Sequence, residues 1–172
     1  MSTLVDSQGN PLPEIEAPTA ERMRVYGDLL FLAFRSHRHA RMSVAVLRTY
    51  LEPAIASGQY RIFRFDDVPR AMYTWAWLGP EAERKLVLGE PLSPEDWQSG
   101  PNLWIIDLIA PYQGLTSQIV RWIMVPGNFT NDAFWFRRVG GENETRRIVN
   151  IDFQAERLSR VYGNEDFLQE RL

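Results

Sequence analysis

A single acid, Asp107, interrupts the most apolar stretch of the chain, Leu103-Trp-Ile-Ile-Asp-Leu-Ile-Ala-Pro111. Residues 103–110 read as a strand buried in the middle of a sheet. A carboxylate placed there gives up its hydration, which is costly unless a partner compensates. The chain must therefore fold so that something polar or cationic meets position 107. One reading is structural: an aspartate at a strand end, or one paired with a core arginine. The other is functional: a carboxylate that orients or charges a histidine. Periodicity alone leaves both open.

The chain holds only two histidines, His37 and His39, and both lie in the polar break Ser36-His37-Arg38-His39-Ala40-Arg41. Imidazole titrates near neutrality and acts as a base or a nucleophile. Ser36 adds a hydroxyl three residues before His39. Arg35, Arg38 and Arg41 surround the pair; a basic rim suits an acidic partner, and a solvated loop is the plainer reading. His-x-His with no further clustered ligand is a weak metal motif, so neither a metal nor a cofactor is expected. There is no cysteine, which excludes disulfides, thiolate catalysis, Cys-ligated zinc and iron–sulfur clusters.

The 172 residues suffice for one domain with a real core. A net charge of −3 gives no global argument for nucleic acid or an anionic membrane. No run approaches the roughly 18 apolar residues of a membrane span, and residues 1–20 lack the basic start and apolar core of a signal peptide. A cytoplasmic protein without an integral membrane segment is the expectation.

Residues 1–18 read as a flexible arm and 19–172 as one folded domain. Glu21 to Arg35 follows helical periodicity, with Thr19 as N-cap. A second helix runs from about Ser43 to Ser57; Pro53 predicts a kink or early end, and Gly58 a stop. Tyr60 to Phe65 and Ala71 to Leu78 are strands around an Asp66-Asp67-Val68-Pro69 turn. Glu81 to Leu88 is helical, and Ser93-Pro94-Glu95-Asp96 has helix-start character. After strand 103–110 come an amphipathic helix, Leu115 to Val125, and strands Ala133 to Val139 and Arg146 to Phe153, joined by a Gly-Gly-Glu-Asn turn. The last twenty residues read as a charged helix. The sum is α+β: one mixed, mostly antiparallel sheet flanked by helices. The order matches the layout of the GCN5-related N-acetyltransferases. Their Gly-rich pyrophosphate loop after the central strand finds no match in Ala110-Pro-Tyr-Gln-Gly-Leu-Thr-Ser117, which weakens coenzyme A as an acyl donor.

Several segments together resemble the RTX toxin-activating lysine acyltransferases, the hemolysin-activating C proteins. Trp104-Ile-Ile-Asp107-Leu-Ile-Ala-Pro111-Tyr112 is similar to that family's W-F-I-D-W-I-A-P-F. Glu95-Asp96-Trp97-Gln98-Ser99-Gly100 resembles E-D-W-x-S-G, Leu51-Glu52-Pro53-Ala54-Ile55 resembles L-P-A-I, and Tyr73-Thr74-Trp75-Ala76 resembles C-S-W-A. The order agrees over residues 22 to 153. Ser36-His37-Arg38-His39 preserves the S-x-x-H spacing of the family's S-P-L-H-R-x-W, which selects His39. Matching His-Arg instead selects His37 and breaks two spacings. Departures are His37 for Pro, Ala40 for Arg and Met42 for Trp.

The resemblance implies that residues 19–172 form an acyltransferase domain. It implies transfer of a fatty acyl group from acyl carrier protein to internal lysine ε-amines of an RTX protoxin, by a cytoplasmic homodimer. His39 would be base or acyl acceptor and Asp107 its orienting partner. Ser36 would hold the loop or donate toward the thioester carbonyl. Arg38, Arg41, Trp75 and Trp104 are the expected substrate contacts. Two other readings stand beside it: an N-acyltransferase using acyl-coenzyme A on a small amine, and a non-catalytic binding module on the same fold.

Overall fold

The computed structural model describes residues 5–12, 16–141 and 144–171. Helix α1 spans Ala20–Ala33, and the Thr19 hydroxyl caps it by accepting from the Arg22 N–H at 3.1 Å. Helix α2 spans Val44–Ser57, with Ser43 accepting from the Val46 N–H. Of the kink or early end expected at Pro53, the early end does not occur; α2 continues to Ser57 and stops at Gly58, whose φ is 69°. Ala54 and Ile55, just past the proline, are buried in the core. Their packing outweighs the one backbone hydrogen bond that proline removes.

Strand β1, Tyr60–Phe65, turns into β2, Val68–Leu78, through Asp66 and Asp67 alone. Both carry positive φ, 49° and 63°, the two-residue hairpin geometry that Asp tolerates. The strand therefore starts at Val68 rather than Ala71, and Pro69 sits beside a register shift at Phe63/Arg64, where a missing donor is tolerated. Helix α3 is Pro80–Leu88, β3 is Asn102–Ile109 and α4 is Leu115–Ile123. Then follow β4, Ala133–Val139, β5, Thr145–Asp152, β6, Ser159–Tyr162, and α5, Asn164–Arg171. The expected all-helical C-terminus is thus corrected: a sixth strand precedes a shorter helix. Four residues, three of them exposed, carry too little alternation to announce an edge strand. The β4–β5 turn expected at 140–143 includes Glu142 and Asn143, which lie outside the described residues.

The six strands lie in chain order, β1 to β6, antiparallel except where β3 runs parallel to β4. The α+β reading with a mixed, mostly antiparallel sheet holds. Helices α1, α2, α3 and α5 pack on one face and α4 on the other. Two departures from regularity shape the centre. First, β3 and β4 pair only at Trp104–Trp135 and Ile105–Phe136, so a cleft opens beyond. Second, Thr74 faces Asp107 while Trp75 faces Ile105, leaving Ile106 as an extra residue. Strict alternation would put Asp107 beside Leu103 and Ile105, toward α4. The bulge instead turns it to the layer of α1 and α2, with Thr74.

The Glu95–Gly100 segment acts as a clasp for this sheet. Pro94–Trp97 forms a 3-10 turn with a Ser93/Asp96 capping box. Ser99 Oγ accepts from the Gly79 N–H at 2.9 Å and donates to the Asp96 carbonyl at 2.8 Å. A Cβ on Gly100 would lie 2.4 Å from Gly79 Cα, so only glycine fits this crossing.

Candidate active site

The polar break after α1 folds back over β3. Hydrogen bonds from Ala40 N–H to the Ser36 carbonyl, 2.9 Å, and from Met42 N–H to the His39 carbonyl, 3.0 Å, shape it into a tight turn. The turn buries His39, only 3% exposed, against Asp107, 4% exposed. His39 Nε2 lies 2.6 Å from Asp107 Oδ2, and Nδ1 lies 2.7 Å from Ser36 Oγ. The second oxygen, Oδ1, accepts from the Leu108 N–H at 3.0 Å and from Arg38 Nη1 at 3.3 Å.

Burial pushes the Asp107 carboxyl up, but the hydrogen bond and charge of His39, the charge of Arg38 and the Leu108 N–H together outweigh it. The group is held below the usual carboxylate range. An ionised Asp107 only accepts, which assigns the proton of the imidazole to Nε2. Nδ1 is then an acceptor, and Ser36 donates its hydroxyl proton to it. Hydroxyl, imidazole and carboxylate stand in the connected order of a proton-relay triad.

Two spaces meet this triad. An open depression of about 640 Å³ is lined by Arg35, Ser36, His37, Arg38, His39 and Tyr112 among others, with no acid among the described residues of its wall. A second, of about 260 Å³, occupies the cleft where β3 and β4 separate. Asp107 and Arg38 form its polar end; Ile105, Val120, Phe134 and Phe136 give it an apolar wall. A further apolar cavity of about 440 Å³ lies between α2, α3 and residues 89–92. It shares Ile106 and Arg137 with the cleft.

Arg137 escaped the sequence reading. Its Nη1 donates to the Leu86 carbonyl at 2.8 Å and to Thr145 Oγ1 at 3.1 Å. Burial and the like charge of Arg38 pull its guanidinium down, while a hydrogen bond to Tyr50 and the charge of Asp107 oppose that fall. The signal was available: position 137 shares the phase of the buried Trp135 along β4, so alternation aims an arginine at the helix-covered face.

The remaining expected contacts are spread out. His37 is exposed on the wall of the depression. Arg41 is exposed at the end of the turn and lines none of these spaces. Trp75 packs with Tyr73 and Phe129 under α4. Trp104 is fully buried, stacked on Trp135 at 5.7 Å, and donates to Glu83 Oε1 at 2.8 Å. Neither tryptophan lines the depression or the cleft.

The family model described as HlyC, RTX toxin acyltransferase family, matches residues 18–152. The chain belongs to this family. Its similarity to the RTX-I toxin-activating lysine-acyltransferase ApxIC of Actinobacillus pleuropneumoniae is 30% identity over 146 residues, 84% of this chain and 82% of that protein. The leukotoxin-activating lysine-acyltransferase LktC of Pasteurella haemolytica-like sp. (strain 5943B) is 39% identical over 87 residues, 50% of this chain and 53% of the relative. The protein-lysine myristoyltransferase RtxC of Kingella kingae is 37% identical over 87 residues, 50% and 52% of the two chains. The match therefore spans about half the length of these last two relatives. The family match takes in Ser36, His39 and Asp107. Among the described residues, no helix is long and apolar enough to cross a membrane.

Proposed function

We propose that this chain is a protein lysine acyltransferase. It moves a fatty acyl group from acyl carrier protein to internal lysine ε-amines of an RTX protoxin and so activates it. The observation that carries the reading is the Ser36–His39–Asp107 relay, with Asp107 and Arg38 walling an apolar cleft and His39 and Arg38 walling an open depression. The names of the relatives support lysine as the acceptor. The short parallel β3–β4 ladder that opens into a cleft supports a GCN5-related N-acetyltransferase-like fold. The same reading takes the working form as a cytoplasmic homodimer.

A lysine amine is mostly protonated at neutral pH and cannot attack a thioester until it loses a proton. In this reading the amine approaches through the depression. The ammonium first gives one proton to solvent; as the neutral amine attacks, Ser36 passes its second proton to His39 Nδ1, and Asp107 stabilises the imidazolium that forms. The Nζ–C bond forms and the C–S bond breaks. The carrier leaves as a thiolate and takes the proton back from the imidazolium. The acyl tail lies in the β3–β4 cleft, where burying each methylene contributes about 0.8 kcal/mol. Arg38 and Arg41 give an acidic carrier or substrate a basic rim.

The test is co-expression with an RTX protoxin, or incubation with palmitoyl-acyl carrier protein, followed by intact-mass spectrometry. A lysine-linked mass gain that His39→Ala abolishes supports the reading. Unchanged acylation in His39→Ala removes the site assignment. Transfer from palmitoyl-coenzyme A but not from the carrier thioester replaces the donor.

A further inference from the structure

Arg38 stands at an unusual place. Its guanidinium reaches Asp107 Oδ1 at 3.3 Å while the other carboxylate oxygen holds His39 Nε2 at 2.6 Å. The Asp107 side chain is 1% exposed and that of Arg38 27%. Arg38 is also a wall shared by the open depression and the apolar cleft.

A carboxylate with one anchored oxygen still swings about its Cβ–Cγ bond. Two donors on Oδ1, Arg38 Nη1 and the Leu108 N–H, fix its plane and leave Oδ2 aimed at the ring. A permanent cation beside the aspartate also shares the charge that a protonated imidazole would otherwise have to itself. Two positive charges around one buried carboxylate repel each other. The other charged or titratable groups nearby are few. Arg137 on β4 interacts with both Asp107 and Arg38, and Tyr50 on α2 is hydrogen-bonded to Arg137. Arg35, His37 and Tyr112 line the depression.

We propose that Arg38 is a positioning residue for the His39–Asp107 pair: it locks the carboxylate so that Oδ2 faces Nε2, and its fixed charge sets the pH at which the pair becomes able to accept a proton. The catalytic consequence rests on the acyl-transfer reading above; the electrostatic one does not. With Arg38 in place the acid limb of activity lies lower than the two-residue pair would give. Removing the cation moves that limb up.

The experiment pairs two readouts on the full chain: the parent, Arg38→Met and Arg38→Lys. The first is kcat/KM against pH with palmitoyl-acyl carrier protein and a protoxin. The second is the proton NMR titration of the histidine rings, tractable because the chain has only two histidines, with His37→Asn to assign them. In Arg38→Met, the acid limb and the buried-ring resonance should both move up by roughly one pH unit. Arg38→Lys should restore most of that shift, which also covers the case where Arg38→Met fails to fold. A kcat/KM lowered equally at every pH, with an unmoved ring titration, overturns the proposal and leaves Arg38 as a packing or substrate contact. A moved titration without acyl transfer in any variant upholds the Arg38 inference and overturns the acyltransferase reading.

Discussion

His39 Nε2 and Asp107 Oδ2 touch at 2.6 Å although 68 positions separate them in the chain. The contact resolves the energetic problem of an acid in an apolar strand. A lone buried carboxylate would shed its charge by taking a proton. Paired with His39, and braced by Arg38 and the Leu108 N–H, Asp107 is held below the usual carboxylate range despite its burial. Such a pair is costly to break, because removing one member leaves the other buried and uncompensated.

The first prediction concerns this pair. His39→Ala and Asp107→Asn should each lower acyl transfer by about 10²- to 10⁴-fold, the range for a lost general base or its orienting partner. Asp107→Asn keeps the shape, and its amide oxygen Oδ1 can still accept from Nε2, so it separates charge from packing. Initial rates from intact-mass time courses, with melting curves to show that each variant folds, check this. A folded Asp107→Asn at full rate would reduce the aspartate to a structural ion-pair partner.

Much of this pairing is legible in the sequence. Asp107 announced itself because apolar periodicity and a charge conflict, and the scarcity of histidines narrowed the partners to two. The α1 boundary was equally plain, since Thr19 carries a cap signature in the side chain itself. What stayed hidden has a common cause: it depends on how strands are paired. The bulge at Ile106 turns Asp107 toward His39, yet it is a property of the register with β2, and residues 103–110 look the same with or without it. Trp104 looked like a groove residue beside the acid, but the sheet delivers it into the core, where its N–H meets Glu83. Arg137 went unnamed because its partners, the Leu86 carbonyl and Thr145 Oγ1, lie on other elements that only the sheet and α3 bring to it.

Ser36 supplies the second prediction. Its Oγ, 2.7 Å from Nδ1, blocks the face of the ring that Asp107 leaves free. A proton from substrate therefore reaches His39 through the serine, or through a water that replaces it. Ser36→Ala should slow transfer about 10- to 100-fold while changing stability by no more than about 1 kcal/mol, the net worth of one hydrogen bond. Rates at saturating donor and urea melts distinguish the two effects. An unchanged rate would mean that protons reach Nδ1 directly.

Glu83 supplies the third, and it concerns stability. Burial beneath α5 raises its carboxyl above the usual value of 4.5, against the lowering effects of Trp104, Arg171 and Asn102. A carboxyl whose folded value is raised contributes stability that is fully present below the unfolded value. That stability is lost as pH climbs through the folded one. At neutral pH the group is thus a net liability. Glu83→Gln keeps an oxygen for the Trp104 N–H, 2.8 Å away, and gives up the charge that a partly exposed Arg171 at 3.7 Å and the Asn102 side chain meet. The variant should melt about 2–4 °C higher than the parent at pH 7–8, and the gap should close as pH falls toward 4. Calorimetry across that range checks it; a gap constant with pH would place the effect in packing rather than ionisation.

The last prediction tests where the acyl tail goes. Val120 is 45% exposed on α4 and lines the cleft between β3 and β4. A tryptophan there would fill part of a space of about 260 Å³ without touching the relay. Long chains gain most from burial, at about 0.8 kcal/mol per methylene, and so lose most when the space shrinks. Val120→Trp should therefore cut palmitoyl transfer by about tenfold or more while leaving octanoyl transfer within about twofold. Competition between the two carrier thioesters, read as the ratio of product masses, removes differences in expression or total activity. A ratio equal to that of the parent would move the tail out of this cleft, and the apolar cavity between α2 and α3, which shares Ile106 and Arg137 with it, would become the next site to fill.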